Sequence, residues 1–284
     1  MKAYAELVRA PAALTVLGDT VAGAAASGRP LRGRRLLLPL SSVALYWSGM
    51  ALNDWADRDL DAVERPERPI PSGRISPRAA LVTAVALGAA GLRIAAYAGG
   101  RDALGVAVPL SVAVLSYDTL LKSTAAGPFG MAACRALDVL LGAGGARAGA
   151  AVPAAMVMAG HTLGVTALSR GEVHGTSSGT AKAVLAGTAL TAITSVIGPV
   201  ATRPHRLAAL AGGLGYAATV GRAQLAAVRA PGAATVRAAT KTGIHGMVLL
   251  QSALTARGGS LFGAVAVAAA LPLARRLGRK VGPT

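Results

Sequence analysis

Ten stretches of this chain, each of roughly 17 to 22 residues, are apolar enough to cross a bilayer. Few folds accept such a pattern. In hydrocarbon, backbone amides must be satisfied within their own segment or in a closed barrel, and blocks of this length do so as helices. The blocks lie near residues 10–26, 36–52, 79–98, 103–121, 128–146, 151–168, 181–200, 207–227, 238–256 and 261–277. The expected fold is all-α, a polytopic membrane bundle of nine or ten transmembrane helices forming one domain over residues 1–284. Block 10–26 reads as the first span rather than as a cleavable signal peptide, because further spans follow with no separate soluble domain to export. Gly and Ala dominate the blocks, and small residues let membrane helices approach closely, so the bundle should be tight.

A net charge of +17 would suggest nucleic acid as the partner of a soluble protein. Here the basic residues sit mostly at block ends, where orientation in the lipid bilayer accounts for them and no nucleic acid is needed. If all ten blocks span, both termini and the loops after blocks two, four, six and eight share one side. That side carries 18 of the 29 Lys and Arg against nine opposite, and is expected to face the cytoplasm of a bacterial cell. The lone Cys134 lies inside a block, so neither a disulfide framework nor a thiolate metal site is available.

Six of the twelve acidic residues crowd into LNDWADRDLDAVERPERPIPSGRIS, residues 52–76, directly after the second block. At 100° per residue, a helix places Asn53, Asp54, Asp57 and Asp61 within an arc of about 100° and points Asp59 the other way. Like charges so close beside a membrane destabilise the segment unless a cation offsets them. Hard oxygen donors of this charge suit Mg²⁺, which takes one or two carboxylates, keeps several waters and bridges to substrate phosphates. A solvated acidic loop is the plain alternative. Arg65, Arg68, Arg74 and Arg78 follow, set among Pro66, Pro69, Pro71 and Gly73, which impose a non-helical loop. Acids for a metal beside arginines that fork onto phosphate oxygens make a diphosphate site.

Asn53, Asp54, Asp57 and Asp61 match the NDxxDxxxD motif of the UbiA superfamily of intramembrane prenyltransferases, which this stretch resembles. The segment RPERPIPSGRIS is similar to the family's loop in which an arginine contacts the diphosphate, here Arg68. SYDTLLKS, at the end of block four, resembles the family's tyrosine and lysine pair, matched by Tyr117 and Lys122. A lysine at a helix C-terminus is also common for its interaction with the helix dipole. Asp118 could pair with a nearby cation or take a proton from an acceptor. CRALDVLLG puts Arg135 and Asp138 three residues apart, either as a structural ion pair or as cavity-lining substrate contacts. Arg93 reads as snorkelling or structurally paired. Asp19, in the first block, could face an acceptor pocket or pair with Arg9.

After block six, where most of the family carries a second aspartate-rich motif, this chain reads SRGEVHGTSSG. Glu172 could still hold a metal, with Arg170 supplying charge on the diphosphate. His174 could act as a base or be a polar residue in a Gly-rich turn. This segment and KTGIHGMVLLQSALTARGG, residues 241–259, resemble a divergent bacterial branch described as EboC-like. The resemblance implies a Mg²⁺-dependent prenyltransferase that ionises an isoprenoid diphosphate and passes the prenyl group to an unknown small-molecule acceptor. Asp54, Asp57 and Asp61 would hold the metal; these three, with Lys122 and Glu172, would be catalytic. Asn53, Arg68, Tyr117, Lys122, Arg135, Asp138, Arg170 and His174 would bind substrate. Aromatic residues are only 3% of the chain, which mildly favours a polar acceptor over an aromatic one. A membrane terpene cyclase and a non-catalytic prenyl-diphosphate binder or transporter are the competing readings.

Overall fold

The computed structural model describes residues 2–281, and among them every regular element is helical. Eleven α-helices follow in chain order: α1 (Lys2–Leu7), α2 (Leu17–Ala26), α3 (Leu38–Ala56), α4 (Arg58–Glu64), α5 (Pro77–Ser116), α6 (Gly127–Ala143), α7 (Ala148–Ser169), α8 (Ser178–Val196), α9 (Arg203–Arg229), α10 (Ala233–Arg257) and α11 (Leu261–Val281). All ten apolar blocks fall on helical segments, but two places depart from one block, one helix. Block 10–26 is split. Arg9 adopts a left-handed φ of 48°, Ala10–Thr15 form a 3₁₀ turn containing Pro11, and regular α-helix starts at Leu17. Blocks 79–98 and 103–121 run together in α5, which is broken at Gly100 (φ 63°, ψ −147°).

That break decides the topology. The apolar stretch Pro77–Leu121 has 45 residues, and a straight helix of that length would extend about 68 Å, over twice the hydrocarbon thickness. At Gly100 the backbone takes a geometry that only glycine enters freely, and the chain doubles back. Lys122, just past the far end, thereby returns to within 2.6 Å of Asp57 on the segment preceding α5.

By length and composition, three stretches among the described residues can cross a membrane: Gly33–Ala56, Pro77–Leu121 and Gly145–Ser169. The other helices are shorter or more polar. Only 22% of the most apolar window of α5 is buried, and Val82, Val85, Val108, Val112 and Leu115 stand exposed along it. An apolar helix this bare is a face for lipid.

The two largest apolar clusters of the interior join most of the helices. Ala22, Val139, Met158, Tyr216, Val220, Leu250 and Leu254 join α2, α6, α7, α9 and α10, while Leu38, Leu45, Val106, Leu110 and Leu141 join α3, α5 and α6. Helix α2 meets α6 backbone to backbone: a Cβ on Gly142 would fall 1.9 Å from the Thr20 carbonyl oxygen, and one on Gly23 1.7 Å from that of Val139. Small residues alone allow this approach. Beside it Asp19, wholly buried, accepts hydrogen bonds from Arg135 Nη1 at 2.6 Å and Gln251 Nε2 at 2.7 Å, tying α2 to α6 and α10. The partner of Asp19 is therefore Arg135, not Arg9. No ion pair joins Arg135 to Asp138; the guanidinium turns to Asp19 instead.

Candidate active site

Helix α3 ends at Ala56 and α4 begins at Arg58, with Asp57 between them at φ −88°, ψ 3°. The helical path survives this interruption, because Asp57 N–H still reaches Asn53 O at 2.9 Å and Asp61 N–H reaches Asp57 O at 2.8 Å. Asp54 and Asp61 accordingly stay buried while Asp59 stands exposed. Residues 65–76 then fold into a run of tight turns, with Arg68 N–H to Arg65 O at 3.0 Å, Ile75 N–H to Pro69 O at 2.9 Å, and Gly73 at φ 73°. Arg74 braces this loop by pairing with Glu6 of α1 and donating to Glu67 O at 2.6 Å. Held this way, Arg68 lies back over the carboxylates.

The carboxylates are matched one for one by cations. Arg68 Nη1 is 2.6 Å from Asp61 Oδ2 and 3.3 Å from Asp54 Oδ1. Arg9 Nη2 approaches Asp54 Oδ1 at 3.1 Å. Lys122 Nζ lies 2.6 Å from Asp57 Oδ1 and donates to Asn53 Oδ1 at 3.1 Å. Lys122 is delivered by a single wide turn, Tyr117–Leu121, in which Lys122 N–H bonds to Tyr117 O, and such π-helical turns recur at functional sites. Arg9 was outside the sequence expectations for the site. Its left-handed backbone, which costs a non-glycine residue roughly 1–2 kcal/mol, carries its guanidinium to Asp54.

Beneath this cluster a cavity of about 80 Å³ is lined by Ser42, Tyr46, Tyr117, Asp118, Arg135 and Asp138, with apolar walls that include Leu45 and Leu110. Arg135 and Asp138 thus share the cavity wall. Ser42 Oγ donates to Asp138 Oδ2 at 2.7 Å. The loop after α7 stands apart from the cavity. Arg170 donates to Thr124 O at 2.6 Å, two residues beyond Lys122, while Arg237 Nη1 donates to the backbone carbonyl of Glu172 at 2.7 Å. Neither the Glu172 carboxylate nor His174 is drawn into the acid cluster, and among the described residues neither forms an ion pair. Arg93 stands exposed on α5, among Ala86, Ala89 and Ala90.

The donor set fits Mg²⁺, since it is made of carboxylate and amide oxygens. Among the described residues, however, no three acidic, His or Cys side chains already converge as a metal cage. The three carboxylates rest on three cations. Such a site suits an ion that arrives with its own oxygen ligands, as Mg²⁺ does on phosphates, with the displaced Arg and Lys left free to take phosphate oxygens.

A lipid-facing helical bundle with acids, opposed cations and a cavity gathered at its helix ends defines a polytopic membrane protein with a charged cluster over a cavity. The chain matches the model of the UbiA prenyltransferase family over residues 13–281, and it belongs to that family. It is 40% identical over 129 residues to a digeranylgeranylglyceryl phosphate synthase of Methanopyrus kandleri, a match covering 44% of this chain and 45% of that protein. It is 44% identical over 110 residues to the synthase of the same name from Methanothrix thermoacetophila, covering 36% and 41%. These matches span less than half the length of either relative. A solved digeranylgeranylglyceryl phosphate synthase superposes with a TM-score of 0.66 at 19% identity, over 90% of this chain and 98% of that one. A UbiA homologue from Archaeoglobus fulgidus, bound to GPP and Mg²⁺, superposes at 0.62 with 15% identity, over 84% and 99%. At such identities the likeness is one of fold.

Proposed function

We propose that this chain is a Mg²⁺-dependent intramembrane prenyltransferase, of the divergent EboC-like branch, that ionises an isoprenoid diphosphate and transfers its prenyl group to a small acceptor. The observation that carries this is the neutral cluster of Asp54, Asp57 and Asp61 against Arg9, Arg68 and Lys122. Bound Mg²⁺ would supply Lewis-acid stabilisation of the departing diphosphate. Asp54, Asp57 and Asp61 would hold it, and Asn53 would orient Lys122. Arg9, Arg68 and Lys122, released from the carboxylates, would donate to diphosphate oxygens as negative charge builds on them. Arg170, already at the Lys122 turn, would approach from the opposite loop, with Glu172 and His174 beside it. Nine or ten helices would cross the membrane of a bacterial cell with these loops facing the cytoplasm. The exposed apolar faces would admit the prenyl chain from lipid.

Lys122→Ala tests the cation exchange. A charge-assisted hydrogen bond is worth roughly 1.5–3 kcal/mol, so affinity for geranylgeranyl diphosphate with Mg²⁺ should fall by about 10- to 150-fold. Equilibrium binding to detergent-purified protein measures it. Unchanged affinity would contradict the assignment of Lys122.

A further inference from the structure

We propose that the cavity beneath the acid cluster is the acceptor site, that it takes a neutral hydroxyl-bearing molecule, and that Asp118 is the catalytic residue that receives the hydroxyl proton. This rests on the prenyl-transfer reading above. Asp118 lies on the wide turn four residues before Lys122, is 2% exposed, and lines the cavity. Among the described residues it forms no ion pair, and its carboxylate carries no hydrogen bond. Of the other carboxylates at or near the cavity, Asp57 is engaged by Lys122 and Asp19 by Arg135, while Asp138 accepts from Ser42 through Oδ2 and among the described residues has no partner on Oδ1. Gly49 leaves open the space before Asp118, since a Cβ there would come within 3.1 Å of Asp118 Oδ2. A buried, unpartnered carboxylate opening on a cavity is placed to accept a proton from whatever fills it.

The cavity also selects by charge. Its one lining cation is Arg135, and that guanidinium is already paired with Asp19 at 2.6 Å. A phosphate or carboxylate on the acceptor would meet Asp118 and Asp138 with no free counter-charge on the cavity wall, Arg9 and Lys122 being turned to the acid cluster and the diphosphate above. A hydroxyl meets acceptors suited to it, in Asp118 and in Asp138 held by Ser42. In the reaction the allylic C1–O bond breaks and its electron pair leaves with the diphosphate. The acceptor oxygen forms a new C–O bond to C1, and its proton passes to the Asp118 carboxylate. The atoms balance, giving a prenyl ether, diphosphate and protonated Asp118.

The test uses detergent-purified full chain with geranylgeranyl diphosphate and Mg²⁺, reading diphosphate release and prenylated product separately. The acceptors are glycerol, a prenylglycerol, the phosphate ester of that prenylglycerol, and a fluorinated alcohol of lower pKa. Wild type should prefer the neutral prenylglycerol to its phosphate ester by at least about 10-fold in kcat/KM. Asp118→Asn should lower kcat for transfer by about 100- to 10,000-fold, the range for loss of a general base. KM for the prenyl diphosphate should stay unchanged, and the deficit should shrink with the more acidic alcohol, as it would for no structural role. Asp118→Glu should restore part of the rate. Preference for the phosphate ester overturns the proposal. So does an Asp118→Asn variant with wild-type kcat, or diphosphate release with no transfer to any neutral alcohol. If wild type releases no diphosphate under any condition, the prenyl-transfer reading itself has failed and this inference falls with it.

Discussion

Replacing Asp54 with Asn is expected to cut Mg²⁺-dependent diphosphate release by about 100- to 1,000-fold, the usual loss on removing one preorganised electrostatic contact to a developing charge. Asp54 sits at the junction of the cluster: one carboxylate oxygen holds both Arg9 and Arg68. Exchanging it for an amide of the same shape removes a negative charge from the proposed metal donors while keeping the packing of a 4% exposed residue. Two effects then coincide. The proposed metal site would lose a charged donor, and two guanidinium groups lose the charged partner that places them. Asp59→Asn is the matched control, since Asp59 is exposed and its contact is with Arg58 at 3.5 Å. Surface pairs of that kind contribute about 0–1 kcal/mol, and release should be unchanged. An Asp54→Asn protein with wild-type release would remove the metal role from Asp54.

The largest effect on stability is expected from Arg135→Met. The substitution keeps much of the side-chain volume but strands Asp19, which is 0% exposed, without its cation, leaving the hydrogen bond from Gln251 at 2.7 Å. Breaking a buried ion pair by removing one partner typically costs about 3–5 kcal/mol. The thermal midpoint in detergent should fall by several degrees, with a larger aggregated fraction on gel filtration. The double variant Arg135→Met, Asp19→Asn should regain most of the loss, because the stranded charge is gone and the amide can still meet Gln251. If the double variant is no more stable than the single one, the pair is not what holds α2 to α6 and α10.

The helical bundle was legible in the sequence because hydropathy and length leave little choice in a bilayer. The acid cluster was legible because Asn53, Asp54, Asp57 and Asp61 are near neighbours in the chain, and a 3.6-residue period fixes their common face. What the sequence hid was long-range pairing. Asp19 and Arg135 are 116 residues apart, and nothing in either segment names the other. Arg9 was hidden for a second reason: it precedes an apolar block that reads as one helix, and its left-handed backbone and the 3₁₀ turn after it emerge only in the packed chain. The glycine at 100 gave a partial signal, since Gly99 and Gly100 separate two blocks, though not the sharpness of the reversal. For Asp118 the sequence left open whether the carboxylate pairs with a cation or takes a proton. In the structure Lys122 pairs with Asp57, and among the described residues Asp118 forms no ion pair.

This cluster is proposed to ionise an isoprenoid diphosphate. Its most direct test is the rate at which detergent-purified protein releases diphosphate from geranylgeranyl diphosphate, with Mg²⁺ and again after chelation by EDTA, with the products identified by mass. Release that requires Mg²⁺ and yields a prenylated acceptor or prenyl alcohol is the predicted result. Tight binding of the diphosphate with no release, across prenyl chain lengths and acceptors, would contradict it and make the chain a prenyl-diphosphate binder or transporter.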